Sequence, residues 1–190
     1  MSTLNQILFQ FVHHFAGRFI ILDDLGVFFA VYLPYFIAAA FLLLVWEAGE
    51  WRQKIYRFAE GAMAAILARG LIEEIIHLFY YHPRPFDFYG FAPLIAESGW
   101  SFPSGHACFF FALAMVAWFA HRKWGAWLFV LAIVNGIARI YTGVHWPFDV
   151  LGGAAIGIVS ALFIHWLMRG ERKALFGNGS EGKAGAPHVA

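Results

Sequence analysis

Charged side chains are scarce in this chain, at 13% of 190 residues, and a water-soluble domain is hard to build from so few. There is one cysteine, Cys108, so no intrachain disulfide can form. Cys108 sits in an apolar run, where a thiol packs as a small hydrophobe. No basic run of the kind that grips nucleic acid is present, and the net charge is only +1, so nucleic acid is not an expected partner. The N-terminus has no basic n-region and no A-x-A-like site, so a cleaved signal peptide is not expected. No internal repeat is visible. What fills the chain instead is apolar: 61% hydrophobic residues and a mean hydropathy of +0.65. That balance belongs to a polytopic membrane protein, and the length suits one domain of five or six spans. Eight Trp, seven Tyr and 22 Phe fit interfacial belts and lipid-facing surfaces.

The apolar runs predict an all-α transmembrane bundle of five spans. They cover about 25–46, 55–81, 104–120, 124–141 and 147–168. Pro34 is positioned to kink the first. The second carries Glu60, Arg69, Glu73, Glu74 and His77, which are costly in lipid. Arg69, Glu73 and His77 are spaced i, i+4, i+8, so this stripe is expected to face the bundle interior. Residues 3 to about 19 place Leu4, Ile7, Leu8, Phe11, Val12 and Phe15 at helical spacing among polar companions. They read as an amphipathic helix lying in the interface, with a sixth span as the alternative. Residues 1–176 form the single domain, and the Gly-rich tail, 177–190, is expected to be disordered.

Positive charge sorts the connections. Arg52, Lys54 and Arg57 lie between spans one and two. Arg122 and Lys123 lie between three and four, and Arg169, Arg172 and Lys173 follow the fifth. These belong on the cytoplasmic side. The two remaining connections then share the opposite, extracytoplasmic face.

Those two connections carry three polar blocks: His82-Pro83-Arg84-Pro85, then Ser101 to His106, then Arg139 to Asp149. Arg84 and Arg139 offer guanidinium forks that match phosphoryl oxygens. Ser104 stands where it can cap a helix whose first-turn N–H groups attract anions, and Gly105 allows close approach. His106 can hand a proton to a leaving oxygen. His145 and Asp149 are i, i+4 across a helix start, so the carboxylate can hold Nδ1–H and free Nε2 as a nucleophile. Each block has a plainer reading: a snorkelling arginine, a helix cap, a terminal aspartate near an interfacial histidine. Three blocks on one face favour a phosphate site. Metal ligation by His77, His82, His106, His145 and Asp87 competes poorly. No HxxxH or HExxH pair occurs near them, and two arginines would repel a cation.

Arg84-Pro85, Pro103 to His106, and Arg139, His145 and Asp149 together resemble the three-part signature of the type 2 phosphatidic acid phosphatase superfamily, Lys-x6-Arg-Pro, Pro-Ser-Gly-His and Ser-Arg-x5-His-x3-Asp. The match covers roughly 77–153 directly. His77 stands where that family has lysine, and Ala138 where it often has serine. Protonated His77 could still contact phosphate; it could equally be a packing histidine. The His-Pro-Arg-Pro-Phe block and the stretch from Gly143 to Gly153 are similar to the bacterial undecaprenyl-diphosphate phosphatases of this superfamily.

The resemblance implies an integral membrane lipid phosphatase that needs no metal or other cofactor. It implies His145 as nucleophile, His106 as acid then base, and Asp149 as orienter. Arg84, Arg139, Ser104 and Gly105 would cradle the phosphate, with His77 a candidate fifth member. The expected substrate is undecaprenyl diphosphate, hydrolysed at the extracytoplasmic face of a bacterial inner membrane in carrier-lipid recycling for the cell wall. Phosphatidic acid or phosphatidylglycerol phosphate is the alternative substrate. A non-catalytic lipid-phosphate binder or transporter, using Glu60, Glu73 and Glu74 as a proton path, is the alternative from another class. The sequence does not specify an oligomeric state.

Overall fold

The computed structural model describes residues 2–176, without the side chains of 174–176. It is all-helical, with no strand among the described residues. The elements are α1 (Thr3–His13), α2 (Ile20–Val27), α3 (Leu33–Trp46), α4 (Trp51–Ala65), α5 (Glu74–Phe79), α6 (Pro85–Tyr89), α7 (Gly105–Ala120), α8 (Arg122–Tyr141), α9 (Pro147–Leu167) and α10 (Arg169–Phe176). A π-helical turn, Phe28–Tyr32, joins α2 to α3, and a longer one, Ile66–Glu73, joins α4 to α5. The expected disordered tail, 177–190, lies outside the described residues.

Among the described residues, three helices are long and apolar enough to cross a membrane: Ile20–Trp46, Arg122–Tyr141 and Pro147–Leu167. The other two expected spans exist as helices but differ in kind. α7 is apolar and only 16 residues long. Residues 51–79 are long enough but carry the charges noted above. α7 is the central helix. Most of its residues are buried, and it packs against α8, α9, α4 and α3. A helix surrounded this way needs no polar face. Gly153 and Gly157 of α9 bring the two backbones together; a Cβ at Gly157 would strike the carbonyl of Cys108 and the amide of Ala112. Outside this core, Ile20, Phe36, Ile66, Leu151 and Val159 are exposed, an apolar outer surface suited to lipid.

Pro34 does not break the first long helix, for a specific reason. Its ring cannot donate to the carbonyl of Ala30. The Asn135 side-chain amide on α8 donates there instead, at 3.3 Å, and to the Phe29 carbonyl at 2.8 Å. The π turn sits at the same place.

The N-terminal segment is shorter than expected. α1 ends at His13, and its 11 residues are fewer than a helix needs to cross a bilayer. Its inner face fastens two helix ends. The Asn5 side-chain oxygen Oδ1 accepts from the Phe148 amide at the start of α9, and His13 Nδ1 lies 2.8 Å from the Tyr141 carbonyl at the end of α8. Phe9 is fully buried against Trp146. Leu4, Ile7 and Phe11 face outward.

The expected Arg69–Glu73–His77 stripe faces the bundle interior only in part. Glu73 is buried and His77 half-buried, but Arg69 is exposed. Arg69 Nε still lies 4.0 Å from Glu73 Oε2, so the two are neighbours on the π-helical stretch Ile66–Glu73, Glu73 turned inward and Arg69 at the outer edge. Glu60 lies at the far end of the bundle, where His165 Nδ1 meets it at 2.6 Å and Phe119 stacks on the same imidazole. Arg172 also contacts His165. The basic connections therefore collect at that end, and the three polar blocks at the other.

Candidate active site

The starts of α7 and α9, the end of α8 and the loop 82–103 meet at one end of the bundle. Pro147 opens α9, as its fixed φ suits a first helical position. Two residues on, Asp149 Oδ2 reaches back to the Trp146 amide at 2.8 Å, capping the helix. The same oxygen accepts the Ser101 hydroxyl at 2.5 Å. Asp149 is fully buried, and its other oxygen faces His82 Nδ1 at 3.4 Å. Asp149 also ties the two signature helices together, because its carbonyl accepts the Ser104 amide at 3.0 Å.

His145 is buried one turn before Asp149. Its Nδ1 lies 3.0 Å from the Ser101 carbonyl and 3.6 Å from Asp149 Oδ2. A carbonyl only accepts, so Nδ1 carries the proton and Nε2 carries the lone pair. The sequence reading gave that proton to Asp149 alone. In the structure the direct hydrogen bond goes to Ser101, and Asp149 acts as a charge just beyond hydrogen-bonding distance. Nε2 is met by Arg84 Nη1 at 3.5 Å. Burial pushes His145 down to about 4; Asp149 opposes that shift, and the charges of Arg139 and Arg84 add to it.

Arg84 does more than bear charge. Its Nε donates to the Gly99 carbonyl, Nη2 to the Ser98 and Trp100 carbonyls, and Nη1 to the Val144 carbonyl, all within 3.0 Å. With His145 added, its five N–H groups all have partners. It is the hub around which loop 97–101 is wrapped. Burial lowers its pKa, against the carboxylates of Glu97 and Asp149. Trp146 fixes the loop from the other side, donating its indole N–H to the Pro83 carbonyl at 2.9 Å.

Arg139 is buried at the end of α8. Nη1 lies 3.5 Å from His106 Nε2, and Nε has no hydrogen-bond partner among the described residues. The Ser104 hydroxyl is likewise buried without one. Ser104 occupies the N-cap position of α7 but does not cap it, so its side chain leaves the first-turn N–H groups alone. Two orphaned donors at a helix start, beside two guanidiniums, suit an anion. Gly105 has another reason to be glycine than the one expected. A Cβ there would strike the carboxylate of Glu73, which fills that space. His77 rests against the Phe102–Pro103 backbone; no hydrogen bond or ion pair joins it to either arginine or either imidazole among the described residues. No group of described residues is arranged to hold a metal ion.

Three participants were missed by sequence reasoning. Glu97 contacts Arg139 through Oε2, and its Oε1 lies 4.0 Å from Arg84 Nη2. Burial raises its carboxyl, but Arg139 and Arg84 outweigh that and hold it below the usual range. Ser101 supplies both a carbonyl and a hydroxyl to the His145–Asp149 pair. His82 faces Asp149. The available signal was a charge count: two arginines too buried for water need a carboxylate, and the loop between the first two blocks offers only Asp87 and Glu97.

Residues 60–173 match the model of the PAP2 superfamily. The chain is 30% identical over 167 residues to the bacitracin transport permease protein BcrC of Bacillus licheniformis, covering 87% of this chain and 81% of that protein. It is 30% identical over 158 residues to the undecaprenyl-diphosphatase BcrC of Bacillus subtilis, covering 82% of this chain and 80% of that protein. The crystal structure of Aquifex aeolicus LpxE superposes with a TM-score of 0.69 at 27% identity, covering 86% of this chain and 95% of that one.

Proposed function

The chain belongs to the PAP2 superfamily, and from that premise we propose that it is an integral membrane lipid phosphatase. We infer that it removes the terminal phosphate of undecaprenyl diphosphate through a phosphohistidine intermediate. The observation that carries the reading is the His145 tautomer. An imidazole whose Nδ1–H is held by the Ser101 carbonyl presents an unprotonated Nε2, met at 3.5 Å by the buried Arg84 guanidinium. Pure binding needs no such nucleophile.

Two steps follow. His145 Nε2 attacks the terminal phosphorus in line, and the bond from phosphorus to the bridging oxygen breaks. The lipid leaves as its monophosphate, taking a proton from His106. Water then attacks the phosphorus of phosphohistidine, His106 removes its proton, and the N–P bond breaks to release inorganic phosphate. As Nε2 attacks it gives up the Arg84 N–H it accepts, and that donor, with Arg139, Ser104 and the Gly105 N–H, holds the equatorial oxygens, where charge gathers. Without substrate, Arg139 Nη1 lies 3.5 Å from His106 Nε2. A phosphoryl dianion reverses the local field and lets His106 carry the proton it donates.

A groove of about 540 Å³ supports a lipid substrate. Phe41, Leu42, Phe58, Phe109 and Leu113 line it, with Arg69 and Glu74 at its rim. The basic connections at the far end of the bundle favour a site on the extracytoplasmic face of a bacterial cell membrane. This face suits recycling of the cell-wall carrier lipid.

The test is phosphate release by the full chain in detergent from undecaprenyl diphosphate, phosphatidic acid and phosphatidylglycerol phosphate, each with and without chelator. Undecaprenyl diphosphate should give the highest kcat/KM, unchanged by chelator. A better glycerophospholipid moves the substrate to that class. Activity lost to chelator and restored by a divalent ion overturns the mechanism, and no release from any lipid overturns the enzyme, leaving a binder or transporter.

A pH profile follows from His145. A pKa of about 4 means that the nucleophile stays neutral at every pH above that. The acid limb of kcat/KM due to His145 should therefore lie near pH 4. A limb near 6.5, the ordinary histidine value, would contradict the buried nucleophile.

A further inference from the structure

Glu97 holds the place a phosphoryl group needs. Its carboxylate contacts Arg139 through Oε2 and approaches Arg84 Nη2 to 4.0 Å through Oε1. Those guanidiniums are the same two that meet the reactive nitrogens, Arg139 at His106 Nε2 and Arg84 at His145 Nε2, each at 3.5 Å. A carboxylate is planar, anionic and bidentate toward arginine, as phosphate oxygens are. A phosphoryl dianion and this carboxylate cannot share the fork, because like charges at contact in a buried site repel strongly.

The side chain is also placed to leave. It is 27% exposed, whereas the arginines it touches are 3% and 6% exposed. The three carbonyls that follow it, of Ser98, Gly99 and Trp100, are fixed by Arg84, so the Glu97 side chain can swing without unwrapping the loop. Gly99, at φ +78, makes the turn that holds those carbonyls inward.

We propose that Glu97 is an internal phosphate mimic: its carboxylate closes the arginine fork in the resting protein, and a terminal phosphoryl dianion must displace it to bind. This rests on the reading of the fork as the phosphate seat. It makes Glu97 a specificity-determining residue. Terminal phosphates that bring two charges, as in a lipid phosphomonoester or diphosphate, displace it better than a phosphodiester, which brings one.

The test uses full-length protein in detergent, with Glu97→Gln and Glu97→Ala beside wild type. The probe is inorganic phosphate, read as the shift in thermal midpoint with phosphate concentration, which needs no turnover. Glu97→Gln keeps the shape and removes the charge, so its phosphate affinity should rise about tenfold or more. Glu97→Ala should do the same and should be the least stable protein without phosphate, since its two buried guanidiniums then face each other unscreened. Unchanged or weaker phosphate affinity in both variants overturns the proposal, because Glu97 would then assemble the site and not block it. Phosphate gain without lipid hydrolysis in wild type would support the mimic and refute only the enzymatic reading.

Discussion

His145→Ala should bind lipid diphosphate and release no measurable phosphate, with turnover lower by roughly 10⁵–10⁶-fold, the scale on which removal of a covalent nucleophile is felt. No other imidazole can substitute. His106 Nε2 is turned to Arg139, and His82 stands on the far side of Asp149. Arg84 would keep its four backbone carbonyls, so the loop and the phosphate seat should survive the substitution. Equilibrium binding of labelled lipid, measured beside single-turnover release, separates the two effects. Retained turnover would remove His145 from the chemistry.

Asp149→Asn should lower kcat by about 10³–10⁴-fold with little loss of fold, by analogy with the aspartate of a serine-protease triad. The structure makes this substitution a clean removal of charge. The asparagine oxygen can take the place of Oδ2 and accept from the Trp146 amide and the Ser101 hydroxyl. Its NH2 group can then face His82 Nδ1, where Oδ1 stood. What disappears is a negative charge 3.6 Å from His145 Nδ1, which steadies the positive charge that the ring acquires on phosphorylation. Thermal midpoint and kcat measured together test the separation. A variant that unfolds, or one that keeps wild-type kcat, would assign Asp149 to helix capping and not to the reaction.

The convergence of the three blocks was legible because each is tied to a helix end, and helix ends are fixed by hydrophobic length and by the sorting of lysine and arginine. The helix boundaries agree with the apolar runs to within a few residues at most ends, for the same reason. The first long helix is the exception; it begins at Ile20, because Asp23 and Asp24 do not prevent a helix from starting in water before it enters lipid. What escaped depends on geometry that no linear spacing encodes. Arg69 is exposed although it lies 4.0 Å from the buried Glu73, a difference between neighbours that helical spacing does not show. Beside the π turn at Pro34, the freed carbonyls are taken by Asn135, 101 residues away in sequence. Glu97 lies in an aperiodic loop, where a carboxylate is ordinary until two buried arginines are found beneath it. Ser101 acts through its backbone carbonyl, which every residue carries and no motif records.

The central claim is that His145 Nε2 becomes bonded to phosphorus. It is tested most directly by rapid acid-free quenching of the protein with undecaprenyl diphosphate labelled in its terminal phosphate. An acid-labile, base-stable phosphoryl group should form on His145 and decay within a turnover, and should be absent from His145→Ala. Label on another residue, or hydrolysis at full rate with no protein-bound label at any time, would contradict it.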